Sequence, residues 1–239
     1  MTGTDLLLHG FAGSGASWDP VIQAATDGRG RPNAPDLPGH RGEPVAEGEG
    51  VAELASRLAA TYGPAETLAG YSMGGRIALR MALDHPESVG RLVLVSTGPG
   101  IADDSERTSR ARDDEELAAA IARMTPGQVA DRWLATPLFA GDPPEVQARA
   151  REQIEASDPA GLAAALRAFG PGWMEPLWPR LGGLAVPVTV VVGERDLRYR
   201  EIGERMVQAV PDGELAVIAG AGHALPREAP AALARVIGS

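Results

Sequence analysis

Short apolar runs that end at glycine- or serine-rich turns constrain this chain more than any other feature. Leu6-Leu7-Leu8 stops at His9-Gly10, Thr67-Leu68-Ala69 stops at Gly70, and residues 92–95 stop at Ser96-Thr97. None alternates apolar with polar residues, as a strand with one wet face would, so each predicts a strand covered on both faces. Between them, residues 51–61 and 75–84 carry apolar side chains at helical spacing. Strand and helix in turn predict a doubly wound α/β fold with a mostly parallel sheet. The pattern resumes at residues 186–192, which run into Gly193, and at 215–218, which run into Ala219-Gly220. A closing helix is expected over 231–237. Pro187 suits the start of its strand rather than the middle.

Residues 99–183 read differently. They hold no strand-like run and four helix-like ones, at 113–124, 126–135, 144–154 and 159–168. Three of these begin at a proline, which is favoured in a first helical turn. The expectation is a helical lid (99–183) inserted into a core made of 1–98 and 184–239. The alternative is one continuous sheet with long crossovers.

Composition narrows the function classes. Twenty-two basic against 32 acidic residues give a net charge of −10. Such a surface repels phosphate backbones and anionic lipid, so neither nucleic acid nor membrane is an expected partner. The absence of cysteine removes disulfides, thiolate metal sites and a cysteine nucleophile. No apolar run reaches 18 residues, and the N-terminus has no signal-like pattern. The chain is expected to be soluble and cytoplasmic. Its histidines lack ligand spacing and no G-x-G-x-x-G follows a strand, so neither metal nor organic cofactor is called for.

Gly70-Tyr71-Ser72-Met73-Gly74 carries the chemistry. A serine between flanking glycines, with a strand before and a helix after, fits a strained turn that pushes the hydroxyl outward. The Met73 N–H would face the same space at a helix N-terminus, where negative charge is favoured. Serine needs a partner imidazole to act at neutral pH. His85 stands 13 residues along the following helix, ~20 Å away at ~1.5 Å per residue, and is too far. His9 precedes the turn after the first strand, and His40 lies in Asp36-Leu37-Pro38-Gly39-His40. His223, in Gly220-Ala221-Gly222-His223, follows the last strand at its carboxyl end, where such sheets gather their catalysts. It is the expected base.

The orienting acid should also come from a strand end. Asp196 in Gly193-Glu194-Arg195-Asp196 is preferred to Glu194, which sits closer to the strand and suits the turn. After the strand ending at Val95 no acid occurs until Asp103. His9-Gly10-Phe11 offers a second oxyanion donor, the Phe11 N–H, beside that of Met73. Arg76, four residues beyond Ser72, falls on the same helix face and suits a carboxylate substrate; the alternative is an ordinary helix salt bridge.

In this order, Leu8-His9-Gly10-Phe11, the serine turn, Gly193-Glu194-Arg195-Asp196 and Gly220-Ala221-Gly222-His223 resemble the α/β-hydrolase superfamily over essentially the whole chain. A narrower set is similar to the 2-succinyl-6-hydroxy-2,4-cyclohexadiene-1-carboxylate synthase family of menaquinone biosynthesis. It comprises Gly70 to Arg76, Trp133 with Pro137-Leu138-Phe139, Gly161 to Arg167, Gly170-Pro171-Gly172, Leu177-Trp178 and Gly222-His223 with Arg227-Glu228 and Pro230. That resemblance implies a lyase in which the activated serine is a base and pyruvate is expelled from a carboxylated cyclohexene. It further implies that Arg76, Arg110, Trp133 and Tyr71 contact the substrate. Pro226 stands where that family often has histidine. Two other readings stay open: a serine hydrolase of a small ester, lactone or carbon–carbon bond, and a binder that keeps the fold without chemistry.

Overall fold

A computed structural model describes residues 4–25, 30–139 and 141–238. Five parallel strands lie in chain order: β1 (Leu6–Leu8), β2 (Ala65–Tyr71), β3 (Val89–Val95), β4 (Val188–Gly193) and β5 (Gly213–Ile218). Leu8 pairs with Gly70, Tyr71 with Val95, and Val95 with Val191, so the carboxyl ends line up along one rim. Beyond β1, Asn33 bridges to Leu6 in parallel, which lays the segment leading to His40 beside the first strand.

Period-two geometry explains the unbroken apolar runs. Leu6, Leu8, Leu92, Leu94, Val190 and Val192 face one buried cluster, with α2 (Val51–Tyr62), α3 (Met73–Asp84) and a later helix over Leu197–Ala209. Leu7, Ala69, Val93, Val95 and Val191 face the other, against α1 (Asp19–Ala24) and the terminal helix over Pro230–Gly238. The sheet is doubly wound, as expected. Only β5, at the edge, is largely uncovered.

Between β3 and β4 the described residues hold four α-helices, one short 3-10 helix (Trp178–Gly183) and no strand: the α-helices are α4 (Asp104–Ile121), α5 (Pro126–Leu134), α6 (Pro144–Glu155) and α7 (Pro159–Phe169). They share a cluster that includes Ile121, Val129, Ile154 and Leu162. The two ends of the insertion meet, since Leu177 N donates to Pro99 O at 2.7 Å and Trp178 Nε1 to Gly100 O at 3.0 Å. The first helix of this segment starts nine residues before the expected 113, because the Asp103 carboxylate caps it by accepting from Glu106 N at 2.8 Å. Its opening turns are polar and exposed, so apolar periodicity could not reveal them. The next two helices of the core are α8 (Leu197–Ala209), also unforeseen, and α9 (Leu225–Glu228); α10 (Pro230–Gly238) closes the chain. Among the described residues no helix is long and apolar enough to cross a membrane.

Candidate active site

Ser72 joins β2 to α3 with φ 51° and ψ −109°, a conformation that L-residues rarely adopt. The neighbouring glycines allow it. A Cβ on Gly70 would stand 2.6 Å from Gly75 Cα, and one on Gly74 would stand 2.6 Å from the His9 carbonyl oxygen. The strained turn is pinned by Ser72 N donating to Val95 O at 2.9 Å and by Thr97 Oγ1 donating to Ser72 O at 2.7 Å. Although it sits at the cap position of α3, the serine hydroxyl makes no capping bond and is left for other partners.

That partner is His223. Its Nε2 lies 3.4 Å from Ser72 Oγ, and its Nδ1 lies 2.6 Å from Asp196 Oδ2. Nδ1–H donating to the carboxylate leaves Nε2 bare, the tautomer that can accept the serine proton. Both His223 and Asp196 are buried. The imidazole is confined by three rings, Tyr199, Tyr71 and Phe139, with centroids 4.8, 5.5 and 6.1 Å away. Glu194 instead holds the adjoining turn, accepting from Gly220 N at 2.8 Å. His85 is remote, hydrogen-bonded to Ser56 at 2.8 Å.

The loop after β1 is held by two buried histidines. Leu37 N donates to His9 Nε2 at 2.8 Å and Ala12 N donates to His40 Nε2 at 3.0 Å. Each accepts on Nε2, so each carries its proton on Nδ1, which faces the carbonyls of Gly10 or of Leu37 and Pro38. Burial pushes both below the usual histidine range, His40 to about 4. Around the serine, the Gly74 and Arg76 N–H groups are taken by His9 O and Ser72 O. No acceptor within the chain is found among the described residues for the N–H of Phe11 or Met73.

A family model described as the alpha/beta hydrolase family matches residues 6–236. The chain belongs to the alpha/beta hydrolase family. It is 34% identical over 237 residues to a 2-succinyl-6-hydroxy-2,4-cyclohexadiene-1-carboxylate synthase of Yersinia pestis, covering 95% of this chain and 83% of that one. Among solved structures it is similar to MenH from S. aureus, with TM-score 0.90 and 30% identity over 99% of this chain and 92% of that chain. A thermophilic esterase from Thermogutta terrifontis, solved with malate bound, also matches, with TM-score 0.84 and 27% identity over 99% and 89% of the two chains.

In this alpha/beta hydrolase, Ser72 and His223 open onto a cavity of about 700 Å³ between the sheet rim and the inserted helices. Arg76 lines it from α3, and only 9% of the residue is exposed. One terminal nitrogen donates to Phe169 O at 2.9 Å, while Nε is buried without a partner among the described residues. Burial depresses its pKa below the ordinary arginine value. It is not the ordinary helix salt bridge that the spacing alone allowed. Arg110 also lines the cavity, but its Nε donates at 2.7 Å to Asp114, which is buried and already tied to Gly172 N. Much of its charge is therefore answered within the protein.

Trp133 forms the opposite wall, its ring 4.9 Å from Phe11. Tyr71 is placed differently from the substrate-contacting position the resemblance implied. It is 4% exposed, packs into the cluster on the far face of the sheet, and borders only a narrow crevice behind the serine. A side chain of β2 alternates faces, and the residue before the serine turn points away from the cavity. Tyr199 and Arg198, at the start of α8, and Arg195, just before it, line the cavity and were not singled out from sequence. Their signal was proximity to Asp196, which carries meaning only once α8 is known to begin there. Among the described residues, no three histidine, aspartate or glutamate side chains gather to hold a metal ion.

Asp142 is a further acidic lining group, 8% exposed, with Oδ2 unpartnered. Burial and then the charge of Glu228 push its carboxyl up to about 6. A raised aspartate binds protons more tightly folded than unfolded, so it lowers stability as pH climbs from about 4 through about 6. Asp142→Asn is therefore expected to melt above the wild type at pH 7.5, with the difference narrowing to about a third of that by pH 4.5. Melting curves showing the same offset at both pH values would refute this.

Proposed function

We propose that this chain is a lyase of the 2-succinyl-6-hydroxy-2,4-cyclohexadiene-1-carboxylate synthase type, and that Ser72, His223 and Asp196 are its catalytic residues. The single observation that carries the proposal is the Ser72–His223–Asp196 relay opening beside a buried arginine whose Nε has no partner among the described residues. A buried guanidinium with no salt bridge among the described residues is costly to keep and is relieved by a carboxylate ligand. Similarity to the synthase of Yersinia pestis and to MenH of S. aureus supports that choice of substrate over a neutral ester.

In the proposed reaction His223 Nε2 takes the Ser72 proton, and Asp196 fixes the tautomer and stabilises the resulting imidazolium. The Ser72 oxygen then removes a carbon-bound proton from the cyclohexene. The electron pair forms a new carbon–carbon double bond, the carbon–oxygen bond to the enolpyruvyl group breaks, and the departing enolate takes the proton held on His223 and leaves as pyruvate, which restores the neutral imidazole. The N–H groups of Phe11 and Met73 stabilise the negative charge that develops on oxygen. Residues 99–183 act as a lid over a core of 1–98 and 184–239, and Trp133 presents an apolar wall to the ring. Arg76 holds a substrate carboxylate, with Arg110 in a lesser part because Asp114 already occupies it.

The deciding assay compares pyruvate release from the synthase substrate with hydrolysis of a p-nitrophenyl ester. Pyruvate release without an acyl-enzyme burst supports the lyase; a fast burst with the ester and no pyruvate overturns it. That second outcome is what a serine hydrolase would give, a reading supported by likeness to the Thermogutta terrifontis esterase. Arg76→Ala is expected to raise KM for the carboxylated substrate about ten- to a hundredfold, the range for a lost hydrogen bond to a charged group. Turnover of a neutral ester should change far less. Equal losses on both substrates would remove Arg76 from carboxylate recognition.

A further inference from the structure

Outside the serine, imidazole and aspartate, one carboxylate is spent on the backbone that carries them and on a neighbouring arginine. Glu228 ends the one-turn helix α9, five residues beyond His223, and its side chain is 4% exposed. Its Oε2 accepts from Gly222 N at 2.8 Å, and its Oε1 accepts from Ala224 N at 2.9 Å. These are the peptide N–H groups on either side of His223. Oε2 also accepts from Arg195 Nη2 at 2.7 Å. Arg195 immediately precedes Asp196, and its own N–H donates to Ala221 O at 2.9 Å. The remaining terminal nitrogen of Arg195 reaches Gly141 O at 3.4 Å, in the loop that also carries Phe139 against the imidazole.

We infer that Glu228, with Arg195, is a positioning residue that sets the His223 imidazole against both Asp196 and Ser72. The inference rests on the proposed role of His223 as base, but not on the identity of the substrate. A carboxylate is the group this place requires. It offers an acceptor to each flanking N–H and still carries the charge that binds the guanidinium, whereas an amide offers one acceptor oxygen and would turn its NH₂ toward a donor. Fixing the peptide plane that follows His223 and the one that precedes Gly222 holds the backbone on both sides of the histidine, and the three surrounding aromatic rings restrict its χ rotation. The Arg195 link then ties the histidine loop to the aspartate loop, so that the 2.6 Å and 3.4 Å contacts are held together rather than separately. Misplacement of a catalytic group by about 1 Å costs roughly a hundredfold in rate.

The test uses paraoxon, which reports on the serine and imidazole alone. The Ser72 oxygen bonds to phosphorus, the bond from phosphorus to the aryl oxygen breaks, p-nitrophenolate leaves, and the serine proton passes to His223. Glu228→Gln and Arg195→Met are each expected to lower the limiting inactivation rate constant about tenfold, and Glu228→Ala about a hundredfold. For the Glu228 variants the paraoxon concentration for half-maximal rate should stay within about twofold, because Glu228 does not line the cavity. Arg195 is 48% exposed and its methionine variant keeps the stem, so it reports even where Glu228→Ala fails to fold. Wild-type rates in both Glu228→Gln and Arg195→Met, with His223→Ala inert, would overturn the inference and leave the histidine reading standing. Undiminished labelling of His223→Ala would overturn that reading, and this inference with it.

Discussion

Replacing Ser72 or His223 by alanine is expected to lower kcat for the carboxylated cyclohexene by about 10⁴-fold or more, with the double variant scarcely worse than either single one. The reason lies in the geometry of one proton path. The serine hydroxyl makes no capping bond, and among the described residues the imidazole 3.4 Å away is its one hydrogen-bond partner, so losing it leaves no base for its proton. Without the hydroxyl, His223 is left 2% exposed with its Nε2 facing an empty place. Groups that act as one unit lose their effect together, which is why the two losses should not multiply. Binding of the substrate should survive in Ser72→Ala, since Arg76 and Trp133 are untouched, and calorimetry on that variant separates recognition from chemistry. Turnover within tenfold of the wild type in either single variant would end the proposed mechanism.

The second large effect is on folding and concerns histidines that take no part in the proton path. His9 and His40 are both completely buried and accept backbone hydrogen bonds on Nε2, so protonation at that atom destroys a bond as well as burying a charge. The folded state therefore binds protons less readily than the unfolded chain. A depressed histidine contributes stability that is fully present above about 6.5 and is lost as pH falls toward the folded value, about 4 for His40. His40 alone should cost the protein about 3 kcal/mol between neutral pH and pH 4, and His9 acts in the same direction. Urea titrations at pH 7.5, 6, 5 and 4 measure this. His40→Gln, whose amide oxygen can still accept from Ala12 N and does not titrate, should start less stable at pH 7.5 but lose distinctly less on acidification. A slope identical to that of the wild type would mean that His40 is not the acid-sensitive group. Because the same two side chains hold the loop that carries the Phe11 N–H, activity should decline before the sheet itself unfolds.

The sheet was legible because parallel strands buried on both faces leave an unmistakable trace in the chain. Leu6-Leu7-Leu8 and the valines before Gly193 could not be exposed on either side, and both emerge as strands. The strand before Ser72 proved longer than its apolar core, since Ala65 and Glu66 join through backbone pairing that side-chain pattern does not report. Helices were legible only where one face is apolar. The opening of α4 is Asp104-Ser105-Glu106-Arg107, held by a cap and by solvent, and α8 is almost as polar. Residues of the site separated by a fixed helical spacing, such as Ser72 and Arg76, could be placed together before any coordinates. Asp142, Tyr199 and the Glu228 carboxylate could not, because their neighbours come from distant parts of the chain. Asp142 meets the charge of Glu228 across 86 residues, and Tyr199 meets the imidazole across 24.

The junction at Pro99, Gly100, Leu177 and Trp178 has an evolutionary consequence. Where the outgoing and returning segments are fastened to one another, both crossings share one narrow stalk, beside which α7 packs on the core through Ala165 and Phe169. Helices above that stalk can be exchanged, shortened or regrafted from a sister protein while the strands beneath keep their register, provided the seat of α7 on the core is kept. New selectivity can thus be acquired above the stalk without rebuilding the machinery below it.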